Sequence, residues 1–91
     1  MNKGELINSV VAKTNLTKKE ADLVLTTILE TIVDAVSSGE KVTLVGFGAF
    51  EARERKGRRG RNPKTGEIIE IPPSRLPTFS VGKFFKQRVN E

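Results

Sequence analysis

Residues 53–71, RERKGRRGRNPKTGEIIEI, decide how this chain is to be read. Seven of the first twelve, Arg53 to Lys64, are Lys or Arg and only Glu54 is acidic, a local net charge of +6. The whole 91-residue chain carries +5, so the other 79 residues sum to −1 and the excess charge is one local device. Such a density of cations repels itself unless a polyanion lies against it, which points first to nucleic-acid phosphate. A solvated basic loop is the plain alternative. Past Ala52 no apolar alternation remains, so this limb has nothing to bury against a core and is expected to project into solvent. Asn62-Pro63-Lys64-Thr65-Gly66 then reverses the chain, and β character resumes at Glu67-Ile68-Ile69-Glu70-Ile71. Together the limbs, about residues 53–74, predict a β-ribbon arm. Ten residues per limb at about 3.3 Å each would reach roughly 30 Å, enough to lie along a DNA groove. Pro72, Pro73 and Pro77 predict a returning limb that is irregular and resists edge pairing.

Outward from the arm, the N-terminal half is helical. Asn2 and Glu5 fit an N-cap with its reciprocal partner, and Leu6, Ile7, Val10 and Val11 recur at helical spacing until Thr14-Asn15. Thr17-Lys18-Lys19-Glu20 is a second capping box, followed by a stripe of Ala21, Val24, Leu25, Ile28, Leu29, Ile32, Val33 and Val36 that Ser37-Ser38-Gly39 ends. A stripe about 30 Å long at 1.5 Å per residue needs more cover than the first helix supplies. It is met either by a second subunit or by an ordinary monomer core. Beyond Gly39, Val42, Leu44 and Val45 read as a strand, Gly46-Phe47-Gly48 as a tight turn, and Ala49 onward as a second strand. Phe79 to Val89 reads as a short closing helix with Phe85 and Val89 on one face. Phe47, Phe50 and Phe79 lie beside apolar strands and read as core, and the absence of Tyr and Trp argues against a base-stacking platform. The expected architecture is α+β, a single domain over 1–91: a base of two N-terminal helices, an antiparallel sheet with a long protruding ribbon, and a short C-terminal helix.

Composition narrows the function. With no Cys and no His, disulfides and thiolate or imidazole metal sites are excluded. There is no phosphate-cradling Gly-Lys-Ser/Thr loop, and Glu5, Glu20, Asp22 and Asp34 are caps and solvated faces, so no enzyme, cofactor, metal or small-molecule substrate is expected. The start of the chain shows neither a secretory signal nor a membrane span, which fits a cytoplasmic protein. Gly57-Arg58-Arg59-Gly60 matches the Gly-x-x-Gly loop of KH domains, but that loop joins two helices and this one sits in a β-type arm. Pro63 at the arm's tip is either a turn former or an apolar wedge of the kind minor-groove proteins slide between base pairs.

Gly46-Phe47-Gly48-Ala49-Phe50, then Arg53, Arg55, Arg58 and Gly60-Arg61-Asn62-Pro63-Lys64-Thr65-Gly66, closely resemble the signature of the bacterial histone-like HU and integration host factor family. The resemblance covers the whole chain. It implies an intertwined dimer, expected here to be a homodimer, whose helices form the base and whose arms embrace double-stranded DNA from the minor-groove side; the handling of DNA by this family is a known example of minor-groove architecture. It implies that Pro63 intercalates and kinks the duplex, that Arg53, Arg55, Arg58, Arg61, Asn62 and Lys64 line groove and phosphates, and that Lys3 and Lys83, assisted by Lys86, hold flanking DNA. Phe47, Phe50 and Phe79 would contribute to the dimer core. Ser80 departs from many relatives, which carry lysine there, and weakens the expected flank clamp; Arg59 and Arg75 stand outside the implied contact set. The function implied is nucleoid-associated DNA bending and compaction with little sequence preference and a liking for bent, nicked or gapped DNA. The alternative within the family is a site-specific bender of the integration host factor type.

Overall fold

A computed structural model describes residues 1–91, and its contacts gather in two compact units, 1–34 and 35–91, each taken here by itself. In the first, Asn2 opens helix α1 (Lys3–Lys13): its Oδ1 accepts from the Glu5 amide at 2.9 Å, satisfying one of the amides a helix start leaves unpaired. Helix α2 (Lys18–Ser37) begins with both halves of the expected box. The Glu20 amide donates to Thr17 Oγ1 at 3.1 Å, and the Thr17 amide donates to the Glu20 carboxylate at 3.0 Å. The backbone bond from Thr17, with the hydroxyl contact second, holds the Glu20 carboxyl below its ordinary pKa, because it favours the charged form.

Within the second unit the end of α2 closes as a Schellman motif. The Glu40 amide reaches the Ala35 carbonyl at 2.9 Å, the Gly39 amide reaches Val36 at 3.1 Å, and Gly39 takes φ +97°. Strands β1 (Val42–Leu44), β2 (Gly48–Arg55) and β5 (Ser74–Val81) form an antiparallel sheet in the order β1-β2-β5, and β3 (Arg58–Arg61) pairs with β4 (Ile68–Ile71). Helix α3 (Lys83–Val89) closes the chain.

Three local expectations are corrected. Val45 belongs to the turn, not the strand: Leu44 pairs with Gly48, the Phe47 amide closes on the Leu44 carbonyl at 2.9 Å, and Gly46 takes φ +82°, as a type II turn requires at its third position. Phe79, Ser80 and Val81 are the end of β5 rather than the start of the helix, since they pair with Phe50, Ala49 and Gly48 before Gly82 caps α3. Pro77 does not disturb the returning limb: it sits opposite Ala52 inside an unbroken β5, an edge strand of the three-stranded sheet, where a missing amide is tolerated. Pro72 and Pro73 do interrupt the strand, between β4 and β5.

Burial is sparse. Only Ile7, Ala21 and Val36 are buried apolar side chains. The ring of Phe79 lies 4.8 Å from Phe50 and 5.5 Å from Phe47, and Phe47 lies 5.4 Å from Phe85, so the expected aromatic cluster forms and gains a fourth member. It is nevertheless open on one side: Phe47 is 46% and Phe79 43% exposed. Val24, Ile28, Leu29 and Val33 of the α2 stripe are exposed as well. No helix is long and apolar enough to cross a membrane.

Candidate nucleic-acid interface

The arm is one ribbon in a single register. Arg55 faces Ser74, and three residues further along each limb Arg58 faces Ile71, so no residue is gained or lost across the Pro72-Pro73 interruption. Those prolines lack the amides a ladder needs, which breaks the pairing without slipping it. Side chains alternate along a strand. Arg53, Arg55, Arg59 and Arg61 therefore fall on one face, with Leu76, Ser74, Glu70 and Ile68 opposite them, while Glu54 and Arg58 fall on the other with Arg75 and Ile71.

The register separates two neighbouring arginines. Arg59, which the sequence left uncertain, belongs to the four-arginine face; Arg58, which the resemblance placed in the groove, lies on the other. The signal was present in the sequence as odd-numbered spacing, but it could be used only once the register across the prolines was fixed. Arg75 is engaged within the fold. Its guanidinium donates to the carbonyls of Ser37 at 3.0 Å and Val36 at 3.4 Å, two of the acceptors that the end of α2 leaves open. Nothing in the sequence pointed to that pairing.

The tip is tightly built. The Asn62 amide donates to the Glu67 carbonyl and the Gly66 amide to the Asn62 carbonyl, both at 2.8 Å. Asn62 Oδ1 accepts from the Lys64 amide at 2.9 Å, an Asx turn around Pro63. Gly66 takes φ +73°, with open space about its α-carbon. Asn62 is thus half-buried and occupied in shaping the turn, whereas Pro63 and Lys64 are exposed. Pro63 stands exposed at the outer end of the ribbon, where its fixed φ serves the turn.

The remaining expected contacts lie off the arm. Lys3, the first residue of α1, holds Thr26 Oγ1 at 2.8 Å and lies 3.4 Å from Asp22, so its charge is already partnered. Lys83 and Lys86 are exposed on α3 and make no ion pair, and Ser80 is exposed near the end of β5. On the arm, Arg53 Nε lies 3.5 Å from Glu51 and Arg59 Nη2 lies 3.8 Å from Glu70, while Arg55 and Arg61 face solvent unpaired. The arrangement is a ribbon with a hydrogen-bonded tip and one strongly cationic face, of the kind that binds phosphate.

Comparison with known proteins agrees with this geometry. A family profile described as bacterial DNA-binding protein matches residues 1–90. A DNA-binding protein HU from a Nostoc species is 65% identical over 89 residues, covering 98% of this chain and 95% of that protein. The HU of Clostridium pasteurianum is 54% identical over 91 residues and covers both chains completely. Among solved structures, an Anabaena HU–DNA cocrystal superposes with a TM-score of 0.88 at 65% identity, covering 98% of this chain and 97% of that one. A profile match from end to end, with whole-length relatives far above the level at which folds diverge, leaves one conclusion: the chain belongs to the bacterial HU family of DNA-binding proteins.

Proposed function

We propose that this DNA-binding protein works as a homodimeric bender of duplex DNA, entering the minor groove with its two arms and reading deformability more than sequence. The observation that carries the reading is the arginine face of the ribbon, ending in an exposed proline on a tightly closed turn. Arg55 and Arg61, with Arg53 and Arg59, follow the groove; Lys64 meets phosphate at the tip; Asn62 holds the turn. Pro63 is the wedge that unstacks a base step, and Lys3, Lys83 and Lys86 hold DNA on the flanks. Arg58, on the second face, takes a smaller share. No catalytic step and no cofactor enter this scheme.

The dimer rests on area. The chain exposes 7877 Å², whereas a compact monomer of its 10.0 kDa exposes about 5,200 Å² by the usual scaling. Part of the excess is the arm. The rest includes the open side of the phenylalanine cluster and the α2 stripe, apolar surfaces that a second copy would cover. An obligate interface of about 2,000 Å² or more in total falls inside that excess. Residues 1–91 then form one domain completed by the partner copy.

Energetics favour low sequence preference. Bending a site of a few turns costs about 1–6 kcal/mol by elastic estimates, and unstacking a step a few more. Six to ten phosphate contacts from two arms and their flanks offset that cost roughly independently of sequence, because arginine in a minor groove senses width more than base identity. DNA already nicked, gapped or bent has part of the deformation made and should bind more tightly. Such a protein acts at the nucleoid, in the cytoplasm. The test is binding at one fixed salt concentration to an intact duplex, the same duplex with a gap, and an unrelated intact duplex. Tighter binding to the gapped DNA with equal binding to the two intact ones is expected. A strong preference between the intact sequences would transfer the protein to the site-specific branch.

A further inference from the structure

The arginine face carries carboxylates of its own. Glu51 and Arg53 stand two residues apart on one strand, and Glu70 faces Arg59 directly across the ladder. The Arg59–Glu70 pair is exposed on both sides and so individually weak, while Glu51 is half-buried. They differ in place too: Glu51 lies at the root of the ribbon inside the three-stranded sheet, whereas Glu70 sits midway along the free part, between Arg55 and Arg61 on the surface assigned above to DNA. A phosphate approaching Arg59 meets a carboxylate that is already there.

We infer that Glu70 is a built-in competitor for the DNA backbone, which holds Arg59 on the arm and sets how strongly the ribbon grips phosphate. While the pair Arg59–Glu70 holds it is neutral as a unit, so Arg59 takes a phosphate only by giving up Glu70. Glu70 also raises the local cost of bringing any phosphate to that point. Of the four arginines on the face, the two without an acidic partner, Arg55 and Arg61, then supply most of the salt-dependent attraction. Withdrawing one cation per arm from undirected phosphate binding leaves a larger share of the affinity to shape and to the tip. This rests on the proposed passage of DNA along the arginine face.

The experiment measures binding of the full chain to an intact duplex across a salt series, for the parent, Glu70→Gln, Arg59→Gln and the double variant. Glu54→Gln, the same charge change on the other face, is the control. Glu70→Gln should tighten binding roughly two- to fivefold and steepen the salt slope by about 0.9 per arm, with a smaller change in the control. Arg59→Gln should remove that added slope in the Glu70→Gln background and leave the parent slope nearly unchanged. An equal loss of slope from Arg59→Gln in both backgrounds would show that Glu70 does not hold Arg59, and would overturn the inference alone. Arg55→Gln and Arg61→Gln complete the set: if neither lowers the slope, DNA does not follow this face, and the inference falls together with the reading beneath it.

Discussion

Two glycine-to-alanine changes should move stability in opposite directions, for reasons visible in the contacts. Gly82 is the joint between the hairpin turn and α3: its amide donates to the Phe47 carbonyl at 2.7 Å, and the Phe85 amide donates to the Gly46 carbonyl at 3.1 Å. A Cβ at residue 82 would lie 2.7 Å from Gly46 C and O and 2.8 Å from Phe47 C. All three are backbone atoms, so none can swing aside, and relief requires the turn to lift away from α3. The φ of Gly82 is −81°, so the cost is one of space rather than backbone strain. Overpacking of this kind costs about 1–3 kcal/mol, and each hydrogen bond stretched out of range adds about 0.5–1.5 kcal/mol. For a chain of this length each kcal/mol corresponds to about 4–8 °C in Tm, so Gly82→Ala should lower Tm by at least about 4 °C. Gly4, in the first turn of α1, has only Asn2 Oδ1 near its would-be Cβ, at an ordinary 3.5 Å. Alanine is worth up to about 1 kcal/mol over glycine inside a helix, and less near its start. Gly4→Ala should therefore raise Tm by up to a few degrees. The assay is thermal unfolding by circular dichroism at matched protein concentration. A Gly82→Ala chain that melts together with the parent would refute the packing argument.

Four further outcomes are expected. If a second copy covers the open Phe47–Phe79 cluster and the α2 stripe, the unfolding midpoint rises with protein concentration, and a constant midpoint counts against the dimer. Pro63→Ala should reduce DNA bending, read by energy transfer between the duplex ends, more than it reduces affinity; undiminished bending would leave Pro63 a turn former only. Arg55→Gln should lower the salt slope of binding by about 0.9 per arm while Arg58→Gln lowers it by much less, and equal losses would show that DNA reaches both faces of the ribbon. The Glu20 carboxyl titrates below its ordinary value because Thr17 donates to its charged form, so its stabilisation is present above the unfolded carboxylate pKa and is lost as pH falls through the lower folded one. Melting across an acid pH series should show that loss in the parent and a shallower acid limb in Glu20→Gln.

Much of the fold was legible because local chemistry and tertiary structure agree. Both helix starts follow from cap residues whose side chains reach only three residues away, and the end of α2 follows from a glycine that adopts the left-handed backbone. The turn at 45–47 and the start of α3 differ from expectation by one and four residues because each is set at a distance. Val45 is apolar enough for a strand yet is 98% exposed, since the Leu44–Gly48 register leaves it no place in the ladder. Phe79 suits a helix face as well as a strand, and its pairing with Phe50, far away in sequence, decides the matter. Arg75 shows the same limit from the side of function. Composition makes it one more cation near a basic arm, but the carbonyls it satisfies belong to residues 36 and 37.

The arm depends on a property that neither charge nor propensity reveals, the preservation of parity across its weakest point. Pro72 and Pro73 remove two amides from the returning limb just where the basic run is densest, and regular pairing stops there on both limbs. Had the interruption absorbed one extra residue on either side, Arg59 and Arg61 would have turned to the opposite face from Arg53 and Arg55, and the stripe would have split in two. It absorbs none. Ladder bonds are lost without loss of register, so all four arginines stay on one face. Parity also puts Glu70 on the same face as the four arginines, and a shift of one residue would have put it on the other.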